Sequence, residues 1–420
     1  MPRRRRGQHT EASALPRSPQ RSVLAPLLLA GTLSALASAG AVADSVDQAK
    51  RIHDRIAGVP PDATTLSDMA SEISGGDPLA AAMIATDAPE FYSVTLKNFA
   101  APWTNRDRSV FVPLNDYTAT VIGMVRDEVD FRQLLYGDIL YVGSGSGVPA
   151  YSNSSNAHYE ALEQQGANLR DVLQQTTQSG VTGLPSDATA GVMTTRAAAK
   201  AFFIDGTNRA MFRFTMLNHL CNDMEQVLDI TRTPDRIRQD VSRSPGGDSR
   251  VFLNNCIGCH SGMDPLAQAY AYYDYQYDPV SDPDGEFGAI SYNGVGETDP
   301  ATGTRVESKY FNNALNFEHG FATPDDSWDN YWRAGQNELL GWDPSLPGSG
   351  SGAKTMGQEL AHSEAFAQCQ VKKVFRNVCL RAPETAADRA QIDAMVTSLA
   401  ANGYSLKRTF AESAVYCMGD

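Results

Sequence analysis

The sequence predicts a mainly α fold, and three kinds of signal indicate it. Apolar residues recur at helical spacing, as in TATVIGMVRDEV, where Val121, Ile122 and Val125 fall on one face. Helix-stop residues end several such runs, for example Asn402-Gly403 after AADRAQIDAMVTSLAA. Stretches rich in Gly, Ser and Asn, such as VGSGSGVPAYSNSSN, separate the runs and are expected to be loops.

Residues 44–190 are predicted to form a helical N-terminal region. After the helix in TATVIGMVRDEV, a second helical run, FRQLLYGDILY, follows Asp130. The stretch QSGVTGLPSDATAG at 178–191 contains Gly, Ser and Pro, so it marks the expected domain boundary. A chain of this length has room for two domains.

Residues 191–420 are predicted to form a second domain. Helices are expected on either side of Gly206, and another begins at Thr233-Pro234, a helix cap followed by proline at the first helical position. Residues 278–352 lack periodicity and are rich in Gly, Asp, Asn and Pro, which predicts long loops. Helices return near Thr355 and continue to the C-terminus.

The first 43 residues have the layout of a secretory signal peptide. A basic stretch precedes the apolar run VLAPLLLAGTLSALASAG, and small residues follow before Asp44. Pro26, Gly31 and several serines interrupt the apolar run, which argues against a membrane anchor. We therefore expect cleavage after Ala43, export to the periplasm, and a mature chain with no integral membrane segment.

The mature chain is expected to be strongly acidic. Without residues 1–43 it has 29 basic and 48 acidic residues, a formal charge of −19. Such a chain repels phosphate groups and anionic lipid surfaces. We therefore expect no nucleic-acid partner.

The motif CIGCH at 256–260 is the strongest chemical signal in the sequence. In a C-x-x-C-H motif the two thiols can bond to the vinyl groups of a haem, and the adjacent histidine can ligate the iron. With six cysteines and seven histidines in 420 residues, this spacing arises by chance about once in a thousand such chains. The motif predicts that Cys256 and Cys259 hold a covalent haem c, with His260 as the proximal ligand.

Three other interpretations of the motif are weaker. A zinc site needs further ligands, and Cys369 and Cys379 are too widely spaced to supply a second C-x-x-C. A redox dithiol of the thioredoxin kind needs a preceding strand and a βαβ setting, and neither is evident. A plain disulfide between Cys256 and Cys259 is the third.

The sixth iron ligand, if there is one, must come from outside the motif. Met263 is too close to His260 in the chain to reach the opposite face of a porphyrin, so we interpret it as a packing residue. Met356 is the first choice, because it follows a flexible loop, with His362 and His219 as alternatives and Met224 as a further candidate.

Four cysteines lie outside the motif, an even number that suggests two disulfides in an oxidising compartment. On a continuous helix Cys369 and Cys379 would be about 15 Å apart, beyond the limit of about 7 Å for a disulfide. Two pairings remain, and we favour Cys379 with Cys417 and Cys221 with Cys369.

The segment CIGCHSGMDPLAQAYAYYD resembles the C-x-x-C-H-x-x-M-D-P signature of the planctomycete-type cytochrome c families, whose C-terminal regions carry a c-type haem motif. Weaker similarity continues in LAHSEAFAQCQVKKVFRNV, NGYSLKRTFAESAVY and GTNRAMFRFTMLNHLC, so that about half of the chain is covered. The chain departs from those relatives at Ala267, where they commonly have glycine. The resemblance implies an exported haem protein and carries over no substrate.

Together these observations predict a helical N-terminal region followed by a cytochrome c-like helical haem domain with long loops. The expected function is that of an exported cytochrome with one haem c per chain, which moves single electrons between redox protein partners. Two alternatives stay open: a peroxidase-like haem oxidoreductase with an open sixth position, and a haem-bearing structural or sensor module. Arg209 and Arg213 are candidates to bind the haem propionates.

Overall fold

The computed structural model describes residues 44–204, 208–238, 249–311 and 321–419, and all of them belong to one compact unit. The fold is mainly α, as predicted. The helices are α1 Ser45–Ala57, α2 Ala63–Ser74, α3 Pro78–Ala85, α4 Lys97–Ala100, α5 Asp116–Arg126, α6 Ala157–Gln164, α7 Leu169–Val172, α8 Gln178–Thr182, α9 Arg196–Phe203, α10 Asn208–Thr215, α11 Ser249–Val251, α12 Ile257–Ala267, α13 Gly352–Ala361, α14 Glu364–Cys379, α15 Ala386–Ala401 and α16 Leu406–Tyr416.

Short strands and tighter or wider helical turns complete the described structure. Three antiparallel pairs of strands are formed by β1 Leu140–Val142 with β2 Gln174–Thr176, β3 Tyr273–Gln276 with β4 Ala289–Tyr292, and β5 Ser327–Asp329 with β6 Ser349–Ser351. The π-helical turns are Phe91–Leu96, Met216–Leu220 and Phe252–Cys256. The 3₁₀ turns are Ala101–Thr104, Phe131–Leu135, Gly191–Thr194, Gln268–Tyr270, Ser308–Phe311, Tyr331–Arg333 and Gly335–Leu340.

The two predicted domains, 44–190 and 191–420, share one hydrophobic core. Helices α1 and α3 from the N-terminal region pack against α16, the last helix of the chain. The main core cluster accordingly runs from Ala49 to Ala414 and includes residues on both sides of position 190. The stretch at 178–191 contains α8 and places Leu184, Ala188 and Ala190 in the same cluster, so the core continues across it.

Helix α5 occupies the position predicted for TATVIGMVRDEV but is buried on every side. All ten residues from Asp116 to Val125 are buried, and Asn115 caps the first turn with its side chain. An amphipathic helix shows one polar face, whereas a helix at the centre of a core does not need one. Two polar residues of α5 have partners inside the protein: the Thr120 hydroxyl donates to the Asp116 carbonyl, and the Asp116 carboxylate accepts from the backbone N–H groups of Arg196 and Ala197.

Two predicted helices are wrong. FRQLLYGDILY forms a 3₁₀ turn, Phe131–Leu135, and then strand β1. Asp130 caps this short turn, and the apolar residues of the turn are already buried in the core. At Thr233 the chain makes turns, and Arg238 forms an isolated bridge with Phe321. The residues from 239 to 248 lie outside the described part of the chain.

The C-terminal helices follow the prediction with one difference. Helix α13 begins at Gly352, three residues before the expected Thr355, and a break at His362-Ser363 separates it from α14. Helices α15 and α16 are confirmed, and Gly403 has a positive φ of 64° between them. That conformation suits glycine and explains the stop.

The loop-rich region from 278 to 352 also contributes to the core. Trp328 and Trp332 are buried in the main cluster. Helices α9 and α10 lie on either side of Gly206 as expected, although Gly206 itself is outside the described residues, as is the predicted signal peptide. Among the helices that the structure describes, none has the length and apolar character needed to cross a membrane.

Candidate functional site

The motif CIGCH lies at the start of α12. A π-helical turn ends at Cys256 and α12 begins at Ile257, so the motif is helical throughout. Residues three and four apart share one side of a helix, which places Cys259 and His260 on the same side as Cys256. Both cysteines are free thiols with intermediate exposure. They are therefore accessible for bonding to a group at the surface of this helix.

The His260 side chain is oriented by a carboxylate one turn further along α12. Its Nδ1 lies 2.9 Å from Oδ1 of Asp264, and the imidazole is 19% exposed. An Nδ1–H donated to a carboxylate leaves the Nε2 lone pair for a metal ion. The helix thus presents one nitrogen ligand and two thiols, which is the donor set that a covalent haem requires.

Asp264 is completely buried and paired with an arginine. Its side chain is 0% exposed, and Arg209 donates to its two oxygens from Nε at 2.8 Å and Nη2 at 3.1 Å. Burial alone would raise the pKa of this carboxyl group, but Arg209 and His260 hold the pKa well below its usual value. Asp264 therefore stays ionised next to His260.

Both arginines suggested for propionate binding are directed to carboxylates of the chain itself. Arg209 pairs with Asp264, and Arg213 donates to both oxygens of Asp223 at 2.6 Å. The propionate role inferred from the sequence is therefore not visible in their contacts. Arg213 is half-exposed, with 49% of its side chain accessible, whereas Arg209 is largely buried.

Exposed apolar side chains surround the motif and form what we call the apolar rim, Leu228, Ile230 and Leu253. Their exposed fractions are 43%, 71% and 55%. A Cβ added at Gly258 would lie 1.8 Å from Leu228 Cδ1 and 3.2 Å from Ile230 Cγ2, so both side chains contact α12 within the motif. Leu253 lies three residues before Cys256 in the π-helical turn that leads into α12. The flat, apolar faces of a porphyrin match such a surface.

The loop segment that carries Leu228 and Ile230 also holds α12 by hydrogen bonds at the motif. The Asp229 N–H donates to the Gly258 carbonyl at 2.9 Å, and the Ser261 hydroxyl donates to the Asp229 carbonyl, also at 2.9 Å. Met224, in the same segment, is buried, and its carbonyl accepts from Sγ of Cys259 at 3.6 Å. Met224 is thus brought next to the motif.

Sequence reasoning missed Trp332, which packs directly on α12. A Cβ at Gly262 would lie 2.0 Å from the Trp332 indole nitrogen, so only glycine permits this contact. Trp332 is completely buried, and its Nε1 has no hydrogen-bond partner among the described residues. The signal was the glycine itself, two residues after His260, since a glycine inside a helix often marks a close approach.

The other proposed distal ligands are engaged elsewhere. Met356 is completely buried in the core, and its helix α13 packs against the 3₁₀ turns 131–135 and 268–270. Gln268 follows His260 by eight residues, about 12 Å along the helix axis. Met356 therefore lies toward the far end of α12.

The two histidine candidates have hydrogen-bond partners in the core or at its edge. His219 is buried, its Nε2 is 2.7 Å from the Tyr117 hydroxyl, and its Nδ1 has no partner among the described residues. Burial lowers the pKa of His219 well below its usual value, so it is neutral. His362 places its Nδ1 2.8 Å from the Gln358 carbonyl and stacks on Tyr136.

The tyrosines after the motif pack in the core. Tyr270 and Tyr273 are buried, contact Phe203 and lie beyond the C-terminal end of α12, away from His260. Met263 is buried as well, in agreement with a packing role.

Both disulfides are present in the favoured pairing. Cys221 and Cys369 are joined with a Cα–Cα distance of 5.3 Å, and Cys379 and Cys417 with 5.6 Å. The first ties the π-helical turn after α10 to α14, and the second ties α14 to the end of α16. Within the described residues, no three His, Cys, Asp or Glu side chains converge to hold a metal ion.

Comparison with known proteins adds no relative. No protein-family model, curated protein or solved structure matches this chain.

Proposed function

We propose that this chain is an exported c-type cytochrome that holds one haem c and transfers single electrons between redox protein partners in the periplasm. The carrying observation is the arrangement on α12: two accessible free thiols, Cys256 and Cys259, and His260 anchored through Nδ1 to Asp264. When bound, the haem supplies an iron that changes oxidation state by one electron. Cys256 and Cys259 would hold the porphyrin, and Nε2 of His260 would ligate the iron.

The chemistry of the donor set favours haem over a bare metal ion. A haem takes a single nitrogen from this motif and two thioether bonds, so it does not require three side chains to meet at one point. The apolar rim of Leu228, Ile230 and Leu253 would cover the porphyrin edge and exclude water from it. Exclusion of water around a haem is one of the factors that set its potential.

The disulfides support an oxidising location. Cysteines paired 148 and 38 residues apart are typical of proteins that fold outside the cytoplasm. The compartment outside the cytoplasm is also where haem is attached to c-type cytochromes. The acidic mature chain suits a redox partner with a basic docking surface.

A second function, that of a peroxidase-like haem oxidoreductase, is favoured by where the candidate sixth ligands lie. Met356 is in the core, and His219 and His362 hydrogen-bond to Tyr117 and to the Gln358 carbonyl. If none of them reaches the iron, the sixth position is open to a small ligand such as peroxide.

Covalent haem attachment is tested by producing the full chain in cells that mature c-type cytochromes. We expect haem staining on a denaturing gel, and loss of the stain in the Cys256→Ala, Cys259→Ala variant. The matched control is Cys379→Ala, Cys417→Ala, which removes two cysteines outside the motif and should keep the stain. Staining that persists without the motif cysteines, or a wild-type protein that never stains, would refute the proposal.

The absorption spectrum then separates the two functions. A low-spin spectrum that added cyanide leaves unchanged is the result expected for an electron carrier. A high-spin iron that binds cyanide would replace the carrier with the peroxidase-like function. In the low-spin case, Met224→Ala and Met356→Ala identify the distal ligand, since only the true ligand changes the spectrum when removed.

A further inference from the structure

Asp264 combines three properties that a packing residue does not need. It is completely buried, its two oxygens accept from the Arg209 guanidinium, and its Oδ1 lies 2.9 Å from Nδ1 of His260. Burying a charge is unfavourable unless the charge is paired and hydrogen-bonded. The chain offsets that cost with Arg209, which binds both oxygens of the carboxylate.

Asp264 connects the other two side chains, because its Oδ1 lies within hydrogen-bond distance of both His260 Nδ1 and Arg209 Nε. His260 and Asp264 are one turn apart on α12, and Arg209 comes from α10, which packs against α12. The backbone N–H of Arg238 also faces Asp264, at 3.4 Å from Oδ2. The carboxylate is thus shared between the imidazole of His260 and the cation of Arg209.

A carboxylate that accepts a hydrogen bond from Nδ1 of an imidazole changes how Nε2 binds a metal. It fixes the tautomer and the ring orientation and makes the ligating nitrogen more basic, and such partners affect metal affinity or activity about 10- to 100-fold. Because a more basic ligand stabilises the more positive iron, it lowers the reduction potential. A cation that shares the same carboxylate weakens this effect.

We infer that Asp264 is a positioning residue that strengthens His260 as an iron ligand, and that Arg209 limits this effect, so that the pair sets the reduction potential of the haem. This inference rests on the proposed function, since it requires a haem ligated by His260. It also gives a role to the Asp of the C-x-x-C-H-x-x-M-D-P signature, which sits four residues after the histidine and therefore faces it across one helical turn.

The test is a redox titration of the haem-loaded protein, read by absorption. Asp264→Asn keeps the size of the side chain and an oxygen acceptor but removes the charge. We expect its midpoint potential to rise, by a tenfold to hundredfold change in the redox equilibrium, which is about 60 to 120 mV at 59 mV per tenfold for one electron. Arg209→Gln should shift the potential in the opposite direction.

The control is Arg408→Gln on α16, which breaks the ion pair with Glu412 and leaves Arg209, His260 and Asp264 untouched. It should change the redox equilibrium by less than about twofold. An unchanged potential in a haem-loaded Asp264→Asn protein would overturn the inference, and so would shifts of equal sign in the Asp264 and Arg209 variants. Should Asp264→Asn fail to fold, the sign of the Arg209→Gln shift decides. Absence of haem from the wild-type protein would instead overturn the proposed function.

Discussion

Glu307 is a buried carboxyl group in the loop region that follows β4. It is 7% exposed, and the side-chain amide of Asn293 donates to it at 2.9 Å. Burial, with the nearby negative charge of Asp274, raises its pKa from 4.5 to about 7. The folded chain therefore binds a proton that the unfolded chain releases between these two pH values.

This proton makes stability depend on pH. Because the folded state binds more protons than the unfolded state between pH 4.5 and about 7, this group lowers the free energy of unfolding as the pH rises through that window. In Glu307→Gln the free energy of unfolding should fall less between pH 5 and pH 8, which urea unfolding at the two pH values would measure. The exposed Glu72 on α2 provides the control, Glu72→Gln. Equal pH dependence in wild type and Glu307→Gln would contradict the pKa shift.

At the scale of single residues, the sequence reveals the motif but not its surroundings. The residue types and spacing of Cys256, Cys259 and His260 can be recognised in the sequence because covalent attachment of a haem requires that pattern. The role of Asp264 depends on helical register and on Arg209 arriving from another helix, so its partners are tertiary information. Trp332 lies 70 residues beyond Gly262, and no local pattern connects the two.

Among the helices, α15 has the clearest local signal for where it begins. The Thr385 hydroxyl accepts from the Asp388 N–H at 3.0 Å, and the Asp388 carboxylate accepts from the Thr385 N–H at 3.0 Å, which is a complete capping box. Asp388 also binds Arg381 and the Tyr416 hydroxyl. The cap therefore joins the start of α15 to the end of α16.

Loss of this cap should be measurable. Thr385→Ala removes the hydroxyl that accepts the Asp388 N–H, and we expect the free energy of unfolding to fall by about 1 kcal/mol. Thr397→Ala, an exposed position in the middle of the same helix, is the control and should change stability by less than about 0.5 kcal/mol. Urea denaturation followed by circular dichroism gives both values. Equal effects of the two changes would show that the capping box adds no stability.

Local signals also explain which elements could be predicted. Helices α15 and α16 have caps and stops within their own sequence, and their predicted extents agree with the structure. Thr233-Pro234 carries an equally good local start signal, yet the chain makes turns there, because that segment packs against α12 and Arg238 pairs with Phe321. Tertiary contacts override capping propensity where a segment must cover another element.

For the whole molecule, the disulfides are the main covalent constraint. Cys221–Cys369 closes a loop of 148 residues and Cys379–Cys417 one of 38 residues. In the chain-entropy account such cross-links contribute about 5 and about 4 kcal/mol, and measured losses run from about 2 to 5 kcal/mol. Replacing both cysteines of either pair by serine should lower the free energy of unfolding by an amount in that range.

The measurement is urea unfolding of each double variant, with the single variant Ser154→Ala at an exposed loop position as control. A loss below about 1 kcal/mol for both pairs would show that the cross-links do not stabilise the fold. The mainly α class and the favoured cysteine pairing were available from sequence. The shared core was not, because packing of α1 and α3 on α16 joins residues more than 300 positions apart.

The path of the Cys221–Cys369 disulfide has a consequence for biogenesis. Its loop encloses Cys256 and Cys259. On the proposed export route, N-terminus first, both motif thiols would therefore reach the oxidising compartment before the native partner of Cys221. Six cysteines allow 15 complete pairings, and an oxidase acting in chain order would join Cys221 to a motif cysteine first. Maturation then needs a disulfide isomerase or early capture of the motif thiols, and thiol–disulfide reshuffling takes seconds to hours. The yield of mature protein would thus depend on the order of two competing thiol reactions.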